Sequence, residues 1–236
     1  MDFKDQIFQI SKQIKKHKES VATEEATKMS FILPLITALG YDIYNPLEVV
    51  PEMSCDITRG SDKIDYAIIK DGEPIMLMEC KHCKQNLDLH STQLARYFVA
   101  SKARFGVLTN GIEYRFYSDL GKANIMDEKP FLIIDITDLS DNDIEQLKKF
   151  HKSYYNEKEI LSTANELKYI TEIKSILNNE FTSPSPEFVK FITRQVYNGT
   201  IWQCVIDRFA PLVKKSISSI INDIISDRLE QCDEEQ

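Results

Sequence analysis

Two apolar segments with strand character, Pro74 to Lys81 and Phe105 to Thr109, flank a stretch, Leu87 to Ser101, in which Leu89, Leu94, Tyr97 and Phe98 recur at helical spacing. A strand, a helix and a strand in this order predict a right-handed crossover that lays the two strands parallel. No other feature constrains the fold as strongly. Around this unit, Ile43 to Val50 and Lys63 to Ile69 read as further strands, and Lys70-Asp71-Gly72-Glu73 carries an Asp-Gly hairpin signal. Asn110-Gly111 joins the Phe105 strand to Ile112–Tyr117 as a tight hairpin, and Phe131 to Ile136 adds one more strand.

The ends of the chain are helical. Phe3, Ile7, Ile10 and Ile14 form an amphipathic stripe before the basic run Lys15-Lys16-His17-Lys18. Thr23 is suited to N-cap a second helix with the stripe Met29, Ile32, Leu33, Ile36 and Leu39, kinked at Pro34 and terminated by Gly40. After Tyr155 the strand pattern disappears. Ile160, Ala164, Leu167, Ile170 and Ile173 open a helical region that Ser183-Pro184-Ser185-Pro186 interrupts. Its last helix carries Val213, Ile217, Ile220, Ile221, Ile224 and Ile225, a stripe wide enough to need a partner surface, either within the chain or on a second copy. The expected fold class is therefore α/β: a mixed sheet flanked by helices over residues 1–152, and an all-helical extension over residues 153–236.

With 236 residues, 42% of them apolar and 28% charged, the chain can bury a core, and disorder is excluded. A net charge of -8 argues against an indiscriminate polyanion binder but leaves room for a local basic groove. No apolar run approaches the ~20 residues of a membrane span, and Met1 opens a charged amphipathic segment instead of a signal peptide. The five cysteines, Cys55, Cys80, Cys83, Cys204 and Cys232, are odd in number and scattered, which suits a reducing compartment. A soluble cytoplasmic protein with no membrane partner is expected.

The chemistry concentrates at Asp65 on one strand and Glu79-Cys80-Lys81 on the next. Alternation puts Glu79 and Lys81 on one face of their strand and Cys80 on the other. Asp65 joins the face of Glu79 if the connecting loop has an odd number of residues, which a three-residue loop Lys70-Asp71-Gly72 with a left-handed Gly72 supplies. Two crowded carboxylates favour a hard divalent cation, and magnesium suits such a site; a nearby lysine can then orient a nucleophile or stabilise charge on a phosphodiester. Taken alone, Asp65, Glu79 and Lys81 match a surface salt-bridge cluster on an edge hairpin better than a metal site. Gln93 and Tyr97, four residues apart, face the same way on the following helix, and Lys81, Lys84, Arg96, Lys102 and Arg104 outnumber the single acid Asp88. That basic segment makes Lys84, Arg96, Lys102 and Arg104 the candidate DNA contacts. Cys80-Lys81-His82-Cys83 is half a zinc pattern without a second half, and alternation separates its two cysteines.

Taken in order, Thr23-Glu24-Glu25-Ala26-Thr27-Lys28, Leu39-Gly40-Tyr41-Asp42, Asp65, Glu79-Cys80-Lys81 and Gln93-Leu94-Ala95-Arg96-Tyr97 resemble the PD-(D/E)XK nuclease superfamily, and within it the N-terminal nuclease domain of type I restriction enzyme R subunits. The resemblance covers roughly residues 20 to 120, with Ile64 standing where the superfamily's name puts proline. It implies a restriction-endonuclease-like fold and magnesium- or manganese-dependent hydrolysis of DNA phosphodiesters. It implies that Asp65 and Glu79 hold the metal, that Lys81 assists the attacking water, and that the helix of Gln93 and Tyr97 supports DNA handling. Glu24, with Glu25 adjacent, matches an early glutamate of the family, although acids in a first helical turn are also favoured by the helix dipole. No Gly-x4-Gly-Lys-Ser/Thr loop occurs, and Gly121-Lys122-Ala123 does not replace one, so no ATP site is expected in this chain. The expected partners are DNA and, through the C-terminal helices, a second copy or other restriction-system subunits. The alternative is a catalytically inactive DNA-binding or protein-interaction module that keeps the nuclease fold.

Overall fold

Six apolar segments hydrogen-bond into one sheet in sequence order: β1 (Val49–Ser54), β2 (Lys63–Lys70), β3 (Glu73–Cys80), β4 (Phe105–Thr109), β5 (Glu113–Tyr117) and β6 (Leu132–Asp135). Every pairing is antiparallel except β3 with β4, which are parallel and joined by the crossover helix α4 (Ser91–Ala100). The other helices are α1 (Phe3–His17), α2 (Glu24–Thr27), α3 (Leu33–Ala38), α5 (Asp141–Lys148), α6 (Glu157–Thr182), α7 (Pro186–Val196) and α8 (Gln203–Glu234). This computed structural model describes residues 2–54, 63–88 and 91–234. Cys55, Leu89 and His90 lie outside the described residues. The mixed sheet and the helical C-terminal region agree with the expected class.

The chain divides into two compact units, Met1–Lys168 and Tyr169–Gln236. Residues 153–168, which the sequence pattern assigns to the helical extension, belong to the first unit because Tyr155, Ile160, Ala164 and Leu167 join its main core. Alternation along β3 sends Met76, Met78 and Cys80 to that core, where α1 supplies Ile7 and Ile14 and α3 supplies Leu35 and Ile36. Leu77 points to a second cluster, closed by Leu94, Tyr97 and Phe98 of α4.

Three local expectations are corrected. Ile43 to Glu48 is turn, not strand: the Asp42 and Asn45 carboxyl and amide oxygens accept from the Tyr44 and Leu47 N–H groups, so the ladder starts at Val49. The β2–β3 loop holds two residues, not three, since Lys70 pairs with Glu73 and both Asp71 (φ 52) and Gly72 (φ 81) are left-handed. A β-bulge restores the parity instead: Ile68 pairs with Met76 but Ile69 with Pro74, which leaves Ile75 as the extra residue beside a proline that has no N–H to donate. Third, Pro34 does not merely kink the early helix. Lys28–Ile32 forms a π-turn in which the Leu33 N–H reaches back to the Lys28 carbonyl, and this turn rotates Met29 out of the stripe, leaving it 70% exposed.

The Asn110-Gly111 hairpin touches that π-turn. A β-carbon on Gly111 (φ 80) would sit 2.9 Å from Phe31 Cβ, whereas one on Gly72 would meet nothing. Gly72→Ala therefore carries only the left-handed penalty, about 1 kcal/mol, while Gly111→Ala adds a clash and should cost about 2 to 4 kcal/mol in urea denaturation. Equal losses would show that the hairpin does not press on the helix.

Candidate active site

β2 and β3 pair antiparallel, so the start of one and the end of the other meet at the same end of the sheet. The β2–β3 ladder runs from Lys70/Glu73 to Tyr66/Met78, and one step further that register sets Asp65 opposite Glu79. The Asp65 carboxylate closes the ladder: Oδ2 accepts the Cys80 N–H at 2.7 Å. Its Oδ1 lies 2.5 Å from Lys28 Nζ. Lys28 also stands 2.8 Å from Glu25 Oε1 and 3.5 Å from Glu24 Oε1, so one ammonium gathers three carboxylates.

Glu79 is the anomaly. It follows Met76, Leu77 and Met78 in an apolar strand and is only 2% exposed. Oε1 pairs with Lys81 Nζ at 2.5 Å, but Oε2 is buried without a hydrogen-bond partner. Burial, with added repulsion from Asp65 and Glu24, pushes its carboxyl from 4.5 up to about 7 despite the Lys81 bond. Lys81 shows the opposite balance: burial works against its ammonium, yet the Glu79 bond outweighs this and raises its pKa. Lys28 behaves alike, its burial outweighed by Asp65 and Glu25, so both lysines are cationic at neutral pH. Lys81 is therefore a donor, not a base. Cys80 is buried in the main core and its thiol is pushed well up by desolvation, which leaves no thiolate nucleophile.

Among the described residues no three His, Cys, Asp or Glu side chains form a ready-made metal cage. Magnesium needs none, because it keeps several waters and takes one or two carboxylates together with substrate phosphate oxygens. The unpartnered Glu79 Oε2 beside the charge of Asp65 fits such an ion.

The remaining sequence candidates are dispersed. Gln93 Nε2 donates to the Lys63 carbonyl at 3.0 Å, tying α4 to the start of β2. Tyr97, one turn on, is 1% exposed and its ring belongs to the α4 core cluster, so its side chain builds the support of the site. The basic segment does not form one patch. Because β3 and β4 are parallel, with Met76 beside Phe105 and Cys80 beside Thr109, the helix between them carries the chain to the opposite end of the sheet. Lys102 and Arg104 lie there, and Lys102 pairs with Glu73 at the start of β3 at 2.8 Å. Arg104 is committed to the buried Asp119 at 2.9 Å and to Glu157 at 3.4 Å. Lys84 stays at the end that holds Glu79, paired with Glu19 at 3.0 Å, and Arg96 is exposed on α4.

Sequence reasoning missed Lys28 and Thr27. The Glu24 to Lys28 spacing of four was visible as a helical ion pair, but nothing in it showed that Asp65 would be the third member. Thr27 is fully buried; its Oγ1 donates to the Thr23 carbonyl and accepts the Cys83 N–H at 3.2 Å, joining the early helix to the loop after β3. The exposed basic run Lys15 to Lys18 ends at the same loop, where Cys83 Sγ donates to the Lys18 carbonyl at 3.7 Å.

The Glu79 shift fixes a pH dependence. Between pH 4.5 and about 7 the folded protein holds a proton that the unfolded chain has released, so stability falls as pH rises through this window, by up to ~3 kcal/mol, and Glu79 contributes nothing below it. Urea denaturation in chelator from pH 4 to pH 8 should show this slope in wild type and its loss in Glu79→Gln. Identical slopes would place the cost on another group.

Residues 45–125 match the family described as Type I restriction enzyme R protein N terminus. The matched segment contains Asp65, Glu79, Lys81, Gln93 and Tyr97, and leaves Glu24 and Lys28 outside it. No curated protein and no solved structure matches the chain.

Proposed function

We propose that the first unit is a metal-dependent DNA endonuclease related to the nuclease domains of type I restriction enzyme R subunits. The observation that carries this reading is the buried, half-satisfied Glu79 carboxylate facing Asp65 and held by Lys81. A stability role does not explain it, because an apolar side chain in that place would avoid the desolvation cost altogether. The family match over residues 45–125 supports the same chemistry.

In this reading Asp65 and Glu79 hold magnesium or manganese, which when bound supplies an acidified water and offsets charge on the phosphate. The Cys80 N–H fixes one Asp65 oxygen, so the carboxylate cannot rotate away. Lys81 donates from Nζ toward the attacking water or the phosphate oxygen that gains charge as the new O–P bond forms and the old one breaks. Gln93 holds the α4 N-terminus against β2, and Tyr97 anchors that helix in the core. DNA approaches the end of the sheet that carries Lys84 and the Lys15 to Lys18 run, with Arg96 flanking, while Lys102 and Arg104 serve as structural ion pairs. Other restriction-system subunits remain candidate partners, and this chain offers no phosphate loop for ATP.

One observation favours a second reading. The Lys28 ammonium already neutralises Asp65, as it would in a DNA-binding module without turnover. Plasmid nicking separates the two. With magnesium or manganese, wild type should nick supercoiled DNA and Lys81→Ala should be slower by about 100-fold or more. The melting temperature should rise with magnesium in wild type but not in Asp65→Asn. Lys84→Ala should weaken binding to all duplexes alike and reduce its salt dependence, whereas Lys102→Ala should not. Equal nicking by wild type and Lys81→Ala would overturn the nuclease reading, and binding without nicking would establish the second.

A further inference from the structure

The cation that gathers the carboxylates of the early helix belongs to the chain itself. Lys28 Nζ has three carboxylate oxygens within 3.5 Å: Asp65 Oδ1 at 2.5 Å, Glu25 Oε1 at 2.8 Å and Glu24 Oε1 at 3.5 Å. The side chain that brings it there is only 11% exposed. The backbone beneath it is pinned on both sides, because Thr27 Oγ1 accepts the Cys83 N–H and the Lys28 carbonyl accepts the Leu33 N–H. An ammonium delivered by a pinned backbone loses little further freedom by staying between these oxygens, whereas a free ion gives up its translational freedom to enter.

Oxygens of three separate carboxylates around one point are also what a hard divalent ion takes. Two-metal phosphodiester centres set their ions about 3.5–4 Å apart, one for the attacking oxygen and one for the leaving oxygen. Asp65 has the shared position for such a pair: its Oδ1 lies on Lys28, and its charge also reaches Glu79, whose Oε2 is unpartnered. The Glu79 side therefore leaves an oxygen for an ion, while the Glu24 side commits its oxygens to Lys28. Charge leads to the same count. With Glu79 ionised, Asp65, Glu79, Glu24 and Glu25 against Lys28 and Lys81 leave two negative charges, which one divalent ion cancels. A second ion would meet the like charge of Lys28 in a space already largely closed to water. We propose, resting on the metal-dependent reading above, that Lys28 stands in for a second cation: the centre takes one divalent ion per chain, and loss of the Lys28 ammonium converts it into a two-ion centre.

The test counts manganese on the full chain by equilibrium dialysis and by electron paramagnetic resonance, in which two ions bridged by one carboxylate couple magnetically and a single ion does not. Wild type should bind one manganese ion with the spectrum of an isolated ion. Lys28→Met keeps the aliphatic stem and removes the charge; it should bind two ions and show the coupled pair. Lys28→Arg keeps the charge and should bind one. Adding Glu24→Gln and Glu25→Gln to Lys28→Met should return the count to one, because these acids hold the second ion. Glu24→Gln with Glu25→Gln in the wild-type background keeps the Lys28–Asp65 pair and should still bind one ion, so a Lys28→Met chain that fails to fold leaves the proposal testable. Two ions on wild type, one ion on folded Lys28→Met, or loss of the single ion on the glutamine exchange would each overturn the proposal and leave the metal-dependent reading standing. No ion on wild type would overturn that reading, and the proposal with it.

Discussion

A carboxylate buried at the end of an apolar strand is the constraint around which the first unit is arranged. Glu79 has lost its water, keeps one oxygen on Lys81 and has nothing for the other. Asp65 adds a second negative charge whose own counter-ion is Lys28. These four groups sum to zero, so the unit can fold around them without any added ion. With the two further carboxylates on Lys28, from Glu24 and Glu25, the cluster carries a surplus of two negative charges, which is the charge that one divalent ion would balance. Stability alone does not explain such a cluster, since buried ion pairs seldom outperform apolar packing.

Much of this arrangement was legible in the sequence, because the signals involved are periodic or local. The strand–helix–strand order gave the parallel β3–β4 pair, and alternation gave Glu79 and Lys81 against a buried Cys80. The convergence of Asp65 with Glu79 was also expected, but by a different device. Parity can be corrected by a longer loop or by a bulge, and the two look identical from the spacing alone; Pro74, unable to donate, was the residue that marked the bulge. The capping box of Ser140 and Asp143 marks the start of α5 by a local signal of the same kind.

What sequence adjacency concealed is the distance a crossover covers. Lys84 and Lys102 are separated by one helix, and a 10-residue helix alone spans about 15 Å, so a basic run that is continuous in sequence is divided between two ends of the sheet. The reverse also holds. Lys28 and Asp65 are far apart in sequence, yet their side chains meet, and no local pattern announces a contact between a helix and a strand that begin in different layers.

The early helix reaches Asp65 because two loops hold it there and its own π-turn fits it to the core. Thr27 receives the Cys83 N–H from the loop after β3, Phe31 presses on Gly111 in the β4–β5 turn, and the π-turn at Lys28–Ile32 accommodates Pro34 while keeping Ile32 and Ile36 in the core. Both loops that touch the helix leave the sheet at the carboxyl ends of β3 and β4, the one parallel pair among the described residues. Open α/β sheets place ligands at such ends because the backbone diverges there and side chains from adjacent strands can converge on a space the sheet itself does not fill. Here the space is bounded on one side by Lys81 and on the other by Lys28, so the same packing that stabilises the helix also decides which cations face the carboxylates. A change that loosens the Gly111 contact therefore acts on the site through Lys28, without touching Asp65 or Glu79.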